Sequence, residues 1–425
     1  MAPRSILVCG AGIAGPTLAY WLKRHGMEPV IVERSPDLRA GGQSVDVRGA
    51  GQQVLQRMGL EGAVRARLTH EEGVAFVNDA GRVEARLSSE AFGGKGFTAE
   101  LEILRGEFVK VLYEATREDT EYLFNNRVVS VTERADRVRV GFLHGPEREF
   151  DLVLAADGIR SKTRELVFGD EMRFRSLGLY MAYFTIPRLP TDGTWAQWYN
   201  APGGRSLLVR PDNLGTTRVV LSFRSEPKGY DRLKVADQKS LLRRVFAGAG
   251  WQVPRALAGL DQTNDFYFEA TGQVLMPRWS KGRVALLGDA AYCASPISGM
   301  GTSLALVGAY VLAGELSRHS DPTRAFAEYE RLMRPYVTRA QDVPTFSTRL
   351  STPQTRAGIA LQHTVLRLAT APGVRQLLGR FMSPPAESFS LPDYGPAREV
   401  AADTGLAPVH YPPSARAESF EDARR

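Results

Sequence analysis

The chain begins its first apolar run at Ile6-Leu7-Val8-Cys9 and continues at once into Gly10-Ala11-Gly12-Ile13-Ala14-Gly15. An apolar-periodic stretch follows and ends near Gly26. This order predicts a strand, a tight turn and a helix. In such a turn Gly10 makes the bend, Gly12 lets a ligand approach the backbone, and Gly15 lets helix and strand pack closely.

A second predicted strand, residues 29–32, ends in Glu33. The free amides and the dipole at a helix start favour a pyrophosphate, and an acid at this distance can accept a hydrogen bond from a ribose 2′-hydroxyl. The stretch therefore predicts a dinucleotide site, for FAD or NAD rather than NADP because Glu33 favours a free ribose hydroxyl. The alternative is a strand-to-helix turn without a ligand.

The composition is that of a globular protein with room for two or three domains: 425 residues, 43% hydrophobic and 24% charged. The net charge of +7 comes from scattered residues without a basic block or interleaved aromatics, so no nucleic-acid partner is expected. Two distant cysteines indicate neither a disulfide framework nor a metal site. Residues 304–313 are too short to cross a bilayer, and the first apolar run is too short for a signal peptide. We expect a cytoplasmic protein that is not integral to a membrane.

Two charged positions follow the predicted strand, turn, helix and second strand. Asp46 lies with Arg48 in a glycine-rich stretch, residues 41–51, which reads as a loop. Asp46 either holds a polar edge of the cofactor or stabilises its own turn. Arg105 opens a predicted helix against the helix dipole, which favours a nearby anion, although an exposed arginine is the simpler alternative.

A third motif begins at Asp157-Gly158, after strand-like residues 137–142 and 150–154 that read as a hairpin. Asp157 either caps the following helix or lies in a turn against the cofactor's phosphates. In the second case Arg160 and Arg164 would face an anion.

Residues 174–275 read as mostly antiparallel strands, with only 238–247 helical. Residues 73–103 alternate in the same way and suggest a piece of this second layer. The strands are rich in aromatics, which are usually core, although one sheet face could cover an aromatic substrate.

A second strand–loop–helix pattern with glycines in the loop begins after residue 283. A buried strand runs into Gly288-Asp289, and a glycine-containing loop, 296–301, feeds a helix over 302–316. Asp289 lies just past a strand end, where ligands bind in open α/β sheets. Further helices are predicted over 324–339 and, broken at 371–373, over 358–382.

The fold expected from these elements is α/β, with a Rossmann-like dinucleotide domain, an inserted mostly antiparallel sheet domain and C-terminal helices. The expected segments are 1–72, 104–173 and 276–340 for the cofactor domain, 73–103 and 174–275 for the substrate layer, 341–398 for the C-terminal helices, and 399–425 for a flexible tail.

Taken together, the glycine turn, the Asp-Gly motif and the Gly-Asp motif with its loop resemble the class A flavin monooxygenases, the para-hydroxybenzoate hydroxylase family, in its GR2-type cofactor fold. The likeness spans roughly residues 5 to 340 and is greatest to the branch of tetracycline-inactivating and actinobacterial natural-product hydroxylases. It implies FAD as cofactor, with NADH or NADPH as a transient donor that shares Asp157 and Gly158 with it. The implied cofactor contacts are Gly10, Gly12, Ile13, Ala14, Gly15, Glu33, Arg34, Asp46, Arg105, Val129, Asp157, Gly158, Asp289, Pro296, Gly299, Gly301 and Thr302.

The resemblance also implies O₂ and a small aromatic or polycyclic substrate, oxygenated through a flavin C4a-hydroperoxide, in a monomer or homodimer. The residues expected to line the substrate are Tyr180, Phe184, Trp198, Phe223, Phe268, Pro296 and Ile297. Tyr292, Met300, Thr302 and Gly308 differ from residues common in the family. None of the six histidines lies in a recognisable catalytic context, so no catalytic base is named.

Three other functions fit parts of the pattern. The same fold supports Baeyer–Villiger or epoxidising monooxygenases, halogenases and reductases, but the Trp-x-Trp-x-Ile-Pro motif of the halogenases is absent, with only Trp195-Ala-Gln-Trp198 present. A plain NAD dehydrogenase leaves the Asp-Gly and Gly-Asp motifs unexplained. A non-catalytic flavoprotein carrier would lack substrate-stimulated oxygen consumption.

Overall fold

The glycine-turn strand, β1 (Ser5–Cys9), lies inside a six-stranded sheet and pairs in parallel with a strand on each side. In spatial order the sheet consists of β17 (Ser280–Lys281), β18 (Val284–Leu286), β11 (Leu152–Ala155), β1, β2 (Glu28–Val32) and β7 (Glu121–Leu123). Helix α1 (Ala14–Arg24) packs against α9 (Gly301–Arg318), which is buried over most of its length. This mixed α/β arrangement confirms the fold class predicted from the sequence.

The computed structural model describes residues 4–39, 41–88, 101–343, 345–369 and 389–395. The predicted helix break at 371–373 and the tail expected over 399–425 lie outside these residues. No helix in the described ranges is long and apolar enough to cross a membrane.

A second sheet of seven strands is antiparallel except where β13 meets β4. Its spatial order is β16 (Tyr267–Leu275), β12 (Arg173–Pro187), β15 (Thr216–Arg224), β14 (Arg205–Pro211), β13 (Ala196–Ala201), β4 (Gly73–Val77) and β5 (Val83–Ser88). Helices α6 (Val235–Val245) and α7 (Val253–Gly259) pack on one side of it. The short α7 was not predicted, because seven residues with a proline near the start give little periodicity.

The predicted hairpin of 137–142 with 150–154 is wrong in its second strand. The small sheet consists of β8 (Val128–Glu133), β9 (Val138–Phe142) and β10 (Arg148–Phe150). The chain then leaves this sheet at Asp151, whose carboxylate accepts the Ser5 amide at 2.7 Å, and β11 enters the six-stranded sheet. Every residue of β11 is buried, as a parallel strand covered on both faces requires.

The remaining elements connect these layers. Strands β3 (Ser44–Val47) and β6 (Leu101–Leu104) pair antiparallel, so the stretch read as a loop over 41–51 contains a strand. The helices are α2 (Ala50–Met58), α3 (Glu61–Arg65), α4 (Arg105–Glu114), α5 (Lys162–Phe168), α8 (Asp289–Tyr292), α10 (Pro322–Gln341), α11 (Thr345–Ser351) and α12 (Arg356–Ala369). The helices predicted over 52–58, 302–316 and 324–339 are confirmed to within two residues at each end.

Candidate active site

The glycine turn forms a narrow cradle at the start of α1. Gly10 has φ +106°, and a Cβ there would lie 2.6 Å from the Ala156 carbonyl oxygen. A Cβ on Gly15 would lie 1.9 Å from the Gly10 carbonyl oxygen, so both positions require glycine. At Gly12 the nearest atom to such a Cβ would be Arg105 Nη2, at 3.4 Å. A guanidinium therefore faces the first-turn amides of α1, including those of Ile13 and Ala14, and this pairing suits a pyrophosphate.

Glu33 follows β2 and lies against the same turn. Its Oε2 accepts the Ala11 amide at 2.9 Å and its Oε1 accepts the Ser35 amide at 2.9 Å. Each oxygen keeps a lone pair for a further donor such as a ribose hydroxyl. Arg34 is exposed beside it and lines an open cavity of about 400 Å³. Val129, on β8, also has an exposed side chain.

Asp289 is the first residue of α8 and follows Gly288 at the end of β18. Its side chain is accessible to solvent, but many protein atoms surround it and displace part of its water. This desolvation raises the pKa of Asp289, while a hydrogen bond with Cys293 and the charge of Arg105 act in the opposite direction. Asp289 and Arg105 thus belong to one electrostatic group.

The loop 296–301 lies between α8 and α9. Ser295 has φ +81°, an unusual value for a residue other than glycine, and its Oγ accepts the Ile297 amide at 3.3 Å. Pro296 is exposed, and a short 3₁₀ turn over Pro296–Ser298 ends at Gly299, which has φ +62°. Helix α9 then begins at Gly301, followed by the buried Thr302, so that its free amides and dipole face this loop.

Asp46 lies on strand β3 and pairs with Arg48, whose Nη2 donates to Asp46 Oδ2 at 2.7 Å. A Cβ on Gly299 would be 3.9 Å from the same oxygen, so the pair borders the loop 296–301. Arg48 is 7% exposed, and its Nη1 has no hydrogen-bond partner among the described residues. The structure therefore places Asp46 on a strand beside the loop 296–301 and not in a turn of its own.

The Asp-Gly motif serves first to cap α5. Asp157 Oδ2 accepts both the amide and the hydroxyl of Thr163 at 3.1 Å, and Ser161 donates to Asp157 Oδ1. The arginines predicted to face an anion are otherwise engaged: Arg160 pairs with Asp231. Arg164 is 1% exposed and donates to the carbonyls of Ala290 and Ile159 at 2.8 and 2.9 Å. Gly158 has φ +83°, with open space around it.

Four of the aromatics expected to line a substrate lie in the apolar core instead. They are at most 4% exposed, and they pack with one another and with residues of α6 and α7. The four are Tyr180, Phe184, Phe223 and Phe268. Trp198 is half-buried on the opposite side of the sheet, stacked on Phe76 at 5.8 Å between ring centroids. The expectation that these four rings contact a substrate does not fit their position, because α6 and α7 cover that side.

The opposite side of the seven-stranded sheet carries Met181, Tyr183, Tyr267 and Glu269, and we call it the cleft face. Alternation places these side chains away from α6 and α7. Strand β16 packs against α8, and the charge of Asp289 acts on both Tyr267 and Glu269. These residues were not predicted from the sequence, although the alternation of residues 180–184 indicated that the strand has a second face.

Two departures from the family pattern prove to be one structural feature. The Tyr292 hydroxyl lies 2.9 Å from that of Tyr329, which donates to the Leu286 carbonyl at 3.2 Å. A Cβ on Gly308 would be only 2.2 Å from the Tyr292 hydroxyl. Glycine at position 308 therefore makes room for the tyrosine that follows Gly-Asp-Ala-Ala.

The glycine turn at the carboxyl end of a parallel strand is typical of dinucleotide-binding proteins. The family model described as "FAD binding domain" matches residues 4–343. The chain belongs to this family, and because relatives that are 36% and 40% identical over most of its length are named flavin-dependent monooxygenases, it is an FAD-dependent monooxygenase.

Similar proteins carry names of the same class. The flavin-dependent monooxygenase eupH of Phoma sp is 36% identical over 426 residues, covering 93% of this chain and 98% of its own. A flavin-dependent monooxygenase of Legionella longbeachae is 40% identical over 338 residues, covering 79% of this chain and 86% of its own. Among solved structures, tetracycline destructase Tet(51) aligns with a TM-score of 0.78 and 33% identity, over 93% of this chain and all of its own.

Proposed function

We propose that this monooxygenase takes electrons from NADH or NADPH and hydroxylates an aromatic or polyketide-like molecule held between the loop 296–301 and the cleft face. The supporting observation is that Asp289 begins α8, and that α8 packs against β16, the strand that carries Tyr267 and Glu269. The two sheets therefore approach each other where α8 packs against β16, and small-molecule sites favour such junctions. We further propose that the protein is cytoplasmic and works as a monomer or homodimer.

The residues present fit FAD. Its pyrophosphate would lie on the first-turn amides of α1 against Arg105, which has no hydrogen bond or ion pair from its guanidinium among the described residues. Glu33 would accept from the ribose, and Asp289 would accept from the ribityl hydroxyls. The start of α9 would stabilise negative charge on the flavin ring. When bound, FAD supplies the transfer of electrons from the nicotinamide to dioxygen, and the chain's part is to position the substrate and exclude water.

The polar lining suits an oxygenated substrate. Arg48 Nη1 is buried beside the loop and has no hydrogen-bond partner within the described ranges, and Glu269 with Tyr267 offers an acceptor and a hydroxyl on the cleft face. Tetracycline destructase Tet(51) is 33% identical over 93% of the chain, which supports a polycyclic phenol or enol as the substrate class. Tetracycline is therefore a suitable first compound, within a panel of simpler phenols.

The experiment has two parts. The purified protein should be yellow and release FAD rather than FMN, because the α1 cradle and Glu33 address the adenosine half. Oxidation of NADH or NADPH should then accelerate on addition of at least one aromatic compound, with matching oxygen uptake. A colourless protein that cannot be reconstituted with FAD would contradict the cofactor site. Oxygen uptake that no aromatic compound stimulates would favour a flavoprotein carrier.

A further inference from the structure

A cavity of about 390 Å³ lies at one end of the seven-stranded sheet, where the turn between β13 and β14 meets the ends of β15 and α6. Its lining includes Arg205, Phe223, Arg224, Tyr230 and Val245, and we call it the α6 cavity. None of the four cleft-face residues lines it, and none of the residues assigned above to the cofactor does. Phe223 and Val245 pack in the core on the side of α6 and α7. The α6 cavity is therefore separate from the cleft proposed for the substrate.

Two arginines and no carboxylate line the α6 cavity. Arg205 Nε donates to the Pro202 carbonyl at 2.7 Å, and its Nη1 donates to the carbonyls of Val245 and Ala247 at 2.9 and 3.2 Å. These acceptors are neutral. The guanidinium of Arg224 has no hydrogen bond and no ion pair in the part of the chain that the structure describes. Two positive charges without a counter-charge therefore border one cavity, which favours an anionic ligand.

The stem of Arg224 is held in place although its charged end has no partner. A Cβ on Gly204 would lie 3.0 Å from Arg224 Cδ, so glycine at this position gives the stem room to cross the turn. The Arg224 amide donates to the Gly204 carbonyl at 3.0 Å. The guanidinium is thus presented to the cavity from a fixed base, and a ligand would lose less free energy in ordering it.

The rest of the lining suits a flat apolar body. The half-buried Tyr230 ring lies with its centroid 5.2 Å from that of Tyr180 and 6.3 Å from that of Phe223. Pro202 and Val245 add aliphatic surface. An aromatic ring would pack on these groups, and the planar fork of an arginine matches the two oxygens of a carboxylate. The volume lies within the range of small-molecule sites.

The short turn that carries Tyr230 also reaches the Asp-Gly motif. Asp231, the next residue, accepts from Arg160 Nη2 at its Oδ2 and at its main-chain oxygen, at 3.1 and 3.3 Å. Arg160 comes directly after the motif and Ile159. Gln238 of α6 donates to the same main-chain oxygen of Asp231 at 3.1 Å. A ligand that shifts Tyr230 would therefore change the Asp231–Arg160 pair.

We propose that the α6 cavity is a second ligand site, which binds a small aromatic carboxylate and alters the affinity for the nicotinamide donor through Asp231 and Arg160. The carboxylate binds to Arg224 and Arg205, and the ring packs on Tyr230. Because coupling between two sites is reciprocal, the donor also alters the affinity for the carboxylate. The ligand site stands on the cavity alone, whereas the coupling rests on the proposed use of NADH or NADPH.

The binding test uses equilibrium dialysis of the FAD-loaded protein with 2-naphthoate, an aromatic carboxylate, and with 2-naphthylmethanol as its neutral analogue. Arg224→Gln should weaken naphthoate binding by about tenfold, because a charge-assisted contact is lost, and should leave the binding of the alcohol unchanged. Arg224→Lys keeps the charge but not the fork, so it should recover part of the affinity. Naphthoate bound in the cleft would not respond to Arg224→Gln.

Arg244→Gln is the matched control. Arg244 is an exposed arginine of α6, next to Val245, and it does not line the cavity. The substitution removes the same charge from the same region, so unchanged naphthoate binding would separate a specific contact from general attraction. Retention of FAD shows that each variant is folded.

The coupling test measures the KM for NADH or NADPH with and without saturating naphthoate. Wild type should show a change of about fivefold, the scale of ordinary coupling between sites. Arg224→Gln should lose the change because it no longer binds naphthoate. Asp231→Asn should bind naphthoate normally but lose the change, because the ion pair with Arg160 is gone.

Equal naphthoate affinity in wild type, Arg224→Gln and Arg244→Gln would overturn the ligand site, as would a wild type that binds no naphthoate. Binding without any change in KM would overturn the coupling. A change in KM that persists in Arg224→Gln would place the effect in the cleft and would also overturn it. If no aromatic compound stimulates NAD(P)H oxidation, the proposed function fails, while dialysis still decides whether the α6 cavity binds a ligand.

Discussion

Asp289 holds its carboxylate where the surrounding protein disfavours a charge. Desolvation raises its pKa, and two features oppose that effect, a hydrogen bond with Cys293 and the positive charge of Arg105. The guanidinium of Arg105 also faces the glycine turn at Gly12. A ligand that offers phosphates to Arg105 and hydroxyls to Asp289 would satisfy both residues at once.

Replacing Asp289 by alanine should weaken FAD binding by about 1–3 kcal/mol, because ribityl hydroxyls covered by the bound cofactor would lose their acceptor. Asp289→Asn keeps the shape and one carbonyl oxygen, so it should lose less. Fluorescence titration of the FAD-free protein with FAD measures both affinities. An unchanged affinity in the alanine variant would count against the assigned role.

At the scale of elements, α8 and α9 are fitted to each other through Tyr292 and Gly308. The phenol of Tyr292 occupies the space that a side chain at position 308 would fill. Burial raises the pKa of Tyr292 to about 12, so the hydroxyl stays protonated and bonded to Tyr329. The effect of a substitution at either position on the stability of the protein should therefore depend on the residue present at the other position.

Gly308→Ala should destabilise the protein by about 1–3 kcal/mol, because the new methyl would collide with the Tyr292 hydroxyl. In the Tyr292→Phe background the same substitution should cost about 1 kcal/mol less, because the colliding atom is gone. Urea unfolding of the four proteins measures the coupling. Gly308→Ala combined with the distant Tyr394→Phe should be additive. Additivity in the Tyr292 cycle as well would show that the two positions are independent.

The loop 296–301 is the element expected to cover the substrate. Gly299 has φ +62°, and a Cβ there would meet only Asp46 Oδ2 at 3.9 Å, so a side chain would strain the backbone rather than collide. Gly299→Val should retain FAD or weaken it modestly, while less of the oxidised NAD(P)H yields product and more yields hydrogen peroxide.

Gly215→Val is the matched control for this loop, since Gly215 has φ +78° with open space around it and lies in a turn between β14 and β15. Coupling of NAD(P)H oxidation to product should be unaffected there. Full coupling in Gly299→Val on a native substrate would move the substrate away from the loop, towards the C-terminal helices.

At the scale of the whole molecule, local signals predicted the cofactor half well. Position 15 needs glycine because a Cβ there would meet Gly10 of the same strand–turn–helix unit, so its role is visible in a short stretch. Position 10 also needs glycine, but the atom that a Cβ would meet belongs to Ala156, far along the chain. The cleft face was harder to predict from the sequence. Both faces of β12 carry aromatics, Tyr180 and Phe184 on one side and Tyr183 on the other, and only the packing of α6 and α7 decides which side remains open.

Pairings between residues that are far apart in the sequence could not be predicted either, because they too depend on how the elements pack. Residues 150–154 were expected to pair with β9, but β10 is the strand that pairs with β9, and β11 joins β1. Local periodicity does not reveal a pairing between strands so far apart in the sequence. The pairing of Tyr292 with Gly308 joins two departures that looked unrelated in the sequence. The approach of Tyr183 to Tyr267 needs two strands in register, since these residues pair across β12 and β16.

In the proposed reaction, the protein inserts one atom of dioxygen into an aromatic or polyketide-like molecule. The most direct measurement is a single reaction under isotopically heavy oxygen gas, with FAD-loaded protein, NADH or NADPH and the compound that best stimulates oxidation. Mass spectrometry should show one heavy oxygen atom in the product and none when the heavy isotope is supplied as water. Unchanged compound with hydrogen peroxide alone, or a product that takes its oxygen from water, would contradict the account.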